Sequence, residues 1–255
     1  MKLRLKPGTV GYVDQGKGPP VLLIHAFPLN NTMWAPQIEV LSRRFRVIAP
    51  DVRGFGESQP PSQWTMEELA DDLNEFLDQL GVEDVALVGV SMGGYIALAF
   101  WSKYSHRVRQ LVLSNSRVRA DNETEKTARN EMIAAIEQRG ASILSDRMLP
   151  RLLQPNPAPE VVRNVRRMIE STDPAAAAYA VMAMRDRVDF ASMLHRVKCP
   201  AMVLTGENDI IIPVNDSRAA ADAIAGARFV SIPNSGHLSN LENPQAFNAA
   251  LLSFL

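Results

Sequence analysis

Gly89-Val90-Ser91-Met92-Gly93-Gly94 decides how the rest of this chain is read. The run before it, Val85-Ala86-Leu87-Val88, is continuously apolar, as expected for a strand buried on both faces of a parallel sheet. The run after it, Tyr95-Ile96-Ala97-Leu98-Ala99-Phe100-Trp101, reads as a helix packed on that sheet. Strand, sharp turn and helix with serine at the apex make the elbow G-x-S-x-G. The glycines have a steric reason. So tight a turn strains the serine backbone, and side chains at the flanking positions would collide with neighbouring backbone. The serine hydroxyl then stands at a helix N-terminus, where backbone N–H groups and the helix dipole favour developing negative charge.

Outward from the elbow, strands and helices alternate. Leu3–Pro7 and Gly11–Asp14 read as an antiparallel pair, followed by strands over Pro20–His25 and Phe45–Pro50 with a helix over Thr32–Leu41 between them. Thr65–Leu80 has the spacing of an amphipathic helix, with Thr65 and Glu68 as a capping box and Gly81 as its stop. Leu111–Ser114 is another buried strand. From Arg117 to Lys198 the strand signal vanishes, and four helical segments appear near Thr124–Gln138, Ala141–Leu153, Pro159–Ser171 and Pro174–Arg187. Alternation resumes with strands over Ala201–Thr205 and Phe229–Ile232 and helices over Asp216–Ala225 and Pro244–Leu255. The expected organisation is a doubly wound core of residues 1–116 and 200–255, interrupted by a helical insertion over 117–199.

Composition narrows the function classes. The chain has 255 residues, 46% hydrophobic and 22% charged, with a net charge of -1 and both signs interspersed. No basic face calls for nucleic acid, and Arg163, Arg166 and Arg167 read as a solvated helix face. Lone Cys199 excludes an internal disulfide and reads as a small core residue. No apolar stretch approaches the roughly 18 residues that span a bilayer, and Met1–Lys6 lacks a signal core. The expected setting is cytoplasmic, without membrane partners, as a monomer or homodimer. No metal-ligand spacing occurs. Gly54-Phe55-Gly56 lacks the third glycine of a dinucleotide fingerprint, since Gln59 takes its place, and Pro60 and Pro61 favour a turn.

A serine nucleophile needs a base, and that base needs an acid. Of the 4 histidines, His106 and His195 lie in charged contexts and His25 ends a strand, leaving His237, just after the last predicted strand. Asp209 follows the strand at Ala201–Thr205 and is preferred as the acid; Glu207 is its competitor and is expected to fix the turn. Asn115-Ser116-Arg117 offers no carboxylate, and Asp51 is expected to pair with nearby Arg53. Oxyanion donors are expected from the backbone N–H groups of Met92 and Phe27.

With these pieces in place, the chain resembles the α/β-hydrolase superfamily over nearly all its length. The resemblance rests on the elbow, His25-Ala26-Phe27-Pro28, Asp51–Ser58, Gly206-Glu207-Asn208-Asp209 and Gly236–Pro244. Its general style is similar to small bacterial carboxylesterases, 3-oxoadipate enol-lactonases and perhydrolase-like esterases. The order Ser91, Asp209, His237 matches the order in that superfamily. The family usually has His-Gly where this chain has His25-Ala26.

The resemblance implies an eight-stranded, mostly parallel sheet with helices on both faces and a helical cap over the nucleophile. It implies a cofactor-free serine hydrolase of carboxylic esters acting through an acyl-enzyme. The alternatives are an enol-lactonase, a carbon–carbon bond hydrolase, or a ligand receptor on the same scaffold. Elbow-aspartate enzymes such as haloalkane dehalogenases and epoxide hydrolases are excluded by Ser91. His25, Met132, Met148, Leu149, Met184, Ile210 and Leu238 are the candidate substrate-pocket residues. The methionines suggest an adaptable apolar pocket, while Arg147, Arg151, Arg185 or Arg187 would suit a substrate carboxylate.

Overall fold

In the computed structural model, which describes residues 1–59 and 63–255, eight strands form one sheet in the order β1-β2-β4-β3-β5-β6-β7-β8. They are β1 Lys2–Arg4, β2 Thr9–Gln15, β3 Pro20–Ile24, β4 Arg46–Pro50, β5 Val85–Val90, β6 Val108–Ser114, β7 Ala201–Gly206 and β8 Arg228–Ile232. β1 pairs antiparallel with β2, and β2 antiparallel with β4; every pairing from β4 onward is parallel. Parallel strands need crossovers, and the helices that supply them cover both faces. Every residue of β5 and β7 is accordingly buried, which is why both read as unbroken apolar runs.

The helices are α1 Ala35–Leu41, α2 Met66–Gln79, α3 Met92–Tyr104, α4 Glu123–Arg139, α5 Ser142–Leu152, α6 Pro159–Glu170, α7 Pro174–Arg185, α8 Val214–Asp222, α9 Ser239–Glu242 and α10 Pro244–Leu252. The capping box of α2 forms as its sequence predicts: Glu68 N–H donates to Thr65 Oγ1 and Thr65 N–H donates to the Glu68 carboxylate. The helix expected over Thr32–Leu41 divides at Trp34 into a 3-10 turn and α1, because Pro36 cannot donate back into the preceding turn. The turn expected at Pro60 and Pro61 lies outside the described residues.

All four helices α4 to α7 fall between β6 and β7 and pack on one another, α4 against α7 and α5 against α6. Their entry is fixed by charge. Asp121, buried, takes Arg129 Nε on one oxygen at 3.0 Å and has Arg187 Nη1 2.7 Å from the other. The Arg187 guanidinium lies 4.3 Å from the centroid of the Tyr95 ring on α3. Among the described residues no helix is long and apolar enough to cross a membrane.

Candidate active site

The carboxyl ends of β3, β5, β6, β7 and β8 converge, and the polar residues beyond them meet there. Ser91, at the end of β5, has φ 54 and ψ -115, a strained left-handed conformation for a residue with a side chain. It is held from three sides. Its N–H donates to Ser114 O at 2.9 Å, its carbonyl accepts from Ser116 Oγ at 2.8 Å, and α3 begins immediately after it. A Cβ on Gly93 would overlap the carbonyl oxygen of Ile24, so only glycine lets α3 start this close to β3.

Ser91 Oγ–H donates to His237 Nε2 at 2.8 Å, and His237 Nδ1–H donates to Asp209 Oδ2 at 2.9 Å. The carboxylate only accepts, which fixes the imidazole tautomer. His237 and Asp209 are buried, and Ser91 is partly exposed. Burial alone pushes the Asp209 carboxyl up. The facing His237, its hydrogen bond and those from Asn115 and the Ile212 N–H outweigh that and hold it below the usual carboxylate range. Among the described residues, neither the Phe27 N–H nor the Met92 N–H donates to a protein acceptor. Glu207 stays on the surface and accepts from Asn234 N–H at 3.2 Å, the turn-fixing place expected of it.

One sequence expectation needs correction. Asp51 does not pair with Arg53. It turns inward and accepts from the N–H groups of Asn31 at 2.7 Å and Glu57 at 2.9 Å, while Arg53 pairs with Asp72 on α2. His25 is a candidate pocket residue whose ring is taken up by the protein: it is fully buried, Nε2 accepts from Val52 N–H at 2.9 Å, and Nδ1–H donates to Ala26 O at 3.0 Å. It organises the loop that carries Phe27, and burial pushes its pKa down to about 4.

The other pocket candidates scatter. Met132 and Met148 are half-buried, and Leu149 is buried in the insertion. Met184 is buried, with Arg129 Nη1 3.8 Å from its sulfur. Leu238 is buried beside His237, and Ile210 is 63% exposed. Of the arginines proposed for a substrate carboxylate, Arg185 bonds Asp186 and Asn130, Arg187 faces Asp121, and Arg147 and Arg151 are exposed. A surface hollow of about 600 Å³ along α2, lined by Arg53, Glu68, Asp72, Glu75 and Asp78 among others, includes none of Ser91, Asp209 and His237. Among the described residues no group of three His, Cys, Asp or Glu could hold a metal ion.

The insertion reaches this site through Arg117 Nη2, which donates to Ile211 O at 2.9 Å, and at two further places. Thr172 Oγ1–H donates to Pro28 O at 2.9 Å, beside Phe27. On the opposite side, Leu238 N–H donates to Leu152 O at 3.1 Å. There the Glu242 carboxylate also bridges the N–H groups of Gln154 and Gly236 at 2.7 and 2.8 Å, and Asn208 Nδ2 donates to Gln154 Oε1 at 3.3 Å. Burial pushes the Glu242 carboxyl above its usual range despite those two donors.

Residues 19–244 match the family model described as alpha/beta hydrolase fold. A thermophilic esterase from Thermogutta terrifontis superposes with a TM-score of 0.96 at 38% identity, covering 99% of this chain and 97% of that one. The enol-lactonase from Burkholderia xenovorans LB400 superposes with a TM-score of 0.92 at 28% identity over 100% and 99%. In sequence, 3-oxoadipate enol-lactonase 2 of Acinetobacter baylyi is 24% identical over 97% of this chain and 91% of its own.

Proposed function

The chain belongs to the alpha/beta hydrolase fold family, and from that premise we propose that it cleaves small, apolar carboxylic esters through an acyl-enzyme on Ser91. The observation that carries this reading is the unbroken relay from Ser91 Oγ through His237 to Asp209, at 2.8 and 2.9 Å. Ser91 Oγ attacks the carbonyl carbon as His237 Nε2 takes its proton, and Asp209 stabilises the imidazolium. The carbonyl oxygen gains the negative charge and accepts hydrogen bonds donated by the Phe27 and Met92 N–H groups. His237 returns the proton to the departing alkoxide, so the alcohol leaves. His237 then deprotonates a water that attacks the acyl carbon. Collapse reforms Ser91 Oγ–H and releases the acid.

The helical insertion serves as the cap that excludes water from these steps. Arg185 and Arg187 already face protein partners, which supports an uncharged ester over a lactone bearing a carboxylate. The test is hydrolysis of p-nitrophenyl esters from acetate to decanoate. The parental chain is expected to turn over a preferred ester faster than about 1 per second. Ser91→Ala is expected to lose at least about a thousandfold in kcat. Equal background rates in both proteins on every ester would overturn the ester reading and turn the search to lactones and carbon–carbon substrates.

A further inference from the structure

Directly after β6 stands Asn115, in a stretch where the sequence offers no acid. It is fully buried, and its backbone is left-handed at φ 49, a conformation that asparagine tolerates better than most residues. Its amide is engaged at both ends. Nδ2–H donates to Asp209 Oδ2 at 2.8 Å and to Gly236 O at 3.3 Å, while Oδ1 accepts from Ser114 Oγ at 2.9 Å and Ser239 Oγ at 2.7 Å. One side chain therefore joins the loops that follow β6, β7 and β8.

Asp209 Oδ2 is the same oxygen that accepts from His237, and Asp209 Oδ1 accepts from the N–H groups of Ile211 at 2.8 Å and Ile212 at 3.0 Å. With two donors on each oxygen the carboxylate has a single orientation. Two hydroxyls on Oδ1 of Asn115 also decide which face of its amide meets Asp209. A donor is needed at this point, because two acceptors in contact there would repel.

We propose that Asn115 is a positioning residue: it fixes the orientation of Asp209 and keeps it ionised, and through Asp209 it aims the His237 imidazole at Ser91. This rests on the serine-hydrolase reading above and assigns a role to a residue that the relay itself does not contain.

The test begins with Asn115→Gly, which keeps the left-handed backbone and removes the amide. Rates are normalised to the amount of Ser91 labelled at completion by a fluorophosphonate. The expected result is a fall in kcat of at least about tenfold with KM within about twofold, because a buried residue that touches no substrate changes chemistry and not binding. In an Asp209→Ala background the same change is expected to add nothing, since Asn115 acts through Asp209. An unaltered kcat per labelled site, or losses that multiply in the double variant, would overturn the proposal.

Asn115→Asp is the isosteric companion. Its carboxyl donates to Asp209 only while protonated, so its kcat relative to the parent is expected to decline from about pH 6 to about pH 9. A purely structural role leaves that ratio flat, and a flat ratio counts against the proposal. The labelling rate separates the two levels of inference. A parental chain whose Ser91 resists the fluorophosphonate sinks the hydrolase reading and this inference with it. A parent and an Asn115→Gly variant labelled equally fast sink this inference alone.

Discussion

Every residue of β5 is buried, and so is α3 from Met92 to Trp101, whereas α4 buries only Ile133, Ala135 and Ile136 along its length. The two regions are held by different means. Around Ser91, continuous apolar burial over-determines the backbone, so a strained φ persists without being relieved. The insertion shares the apolar core only along one side and adds separate polar contacts to the rest of the molecule: Thr172 to Pro28, Leu152 to Leu238, Gln154 to Glu242 and Arg117 to Ile211, while Asp121, Arg129 and Arg187 form a charge cluster within it. Diffuse packing fails all at once, while discrete contacts fail one at a time. That contrast can be broken experimentally.

The largest expected effect is on the sheet side. Gly93→Val forces a side chain onto the Ile24 carbonyl, where both backbones are fixed. A loss of more than about 3 kcal/mol is expected, seen as failure to recover folded protein or as a collapsed Tm. Asp121→Asn comes next. It leaves Arg187, itself buried, without its charge partner, at a cost of roughly 3 kcal/mol. The loss should be local: amide exchange is expected to accelerate over residues 117–187 while β5 and α3 keep their protection. Uniform acceleration would mean that the two regions form one cooperative unit.

Acid should separate the regions by their order of loosening. His25 falls from 6.5 to about 4 on burial, so the unfolded chain binds more protons than the folded one between those values. Its contribution, about 3 kcal/mol from that difference, is present above pH 6.5 and lost as pH falls toward 4. Glu125, at the start of α4, is drawn from 4.5 down to about 2, chiefly by Arg119 and against the effect of burial. Its contribution is present above pH 4.5 and lost only as pH approaches 2. Exchange measured in pH steps should therefore show the loop around residues 25–29 loosening before the start of α4. The reverse order would contradict both assignments. The smallest effect is expected from Thr172→Val, which removes one hydrogen bond to Pro28 worth about 1 kcal/mol. Circular dichroism should show an unchanged fold, and KM should rise more for bulky esters than for acetate.

The same contrast governs what the sequence discloses. Strands buried on both faces write themselves as apolar runs, so β3, β5, β6 and β7 are legible, and the glycines of the elbow mark the turn between β5 and α3. Ser91, Asp209 and His237 could be singled out because histidines are few and because strand ends converge in an open parallel sheet. What escapes is whatever depends on side-chain direction. Nearness in sequence suggests Asp51 with Arg53, yet the chain turns between them and each finds another partner. Met184 is singled out by type alone, and its burial beside Arg129 is not written in the sequence. Asn115 carries no motif, since an amide becomes informative only when three loops meet around it. The four residues of α9 are too few for any periodicity to register.

The insertion is pinned near Pro28 by Thr172 and near His237 by Leu152 and Gln154, and its ends run into β6 and β7. It is thus a cassette with defined sockets. A graft that reproduces those three attachment residues, and the apolar side that meets the core, is expected to seat on the same floor without redesign of that floor. Conversely, a transplant chosen by length alone would leave the Pro28 carbonyl without the Thr172 hydroxyl and the Glu242 carboxylate with only the Gly236 N–H. Compatibility between a foreign roof and this floor therefore needs hydrogen-bond grammar at a few addresses as well as an apolar underside that continues the core.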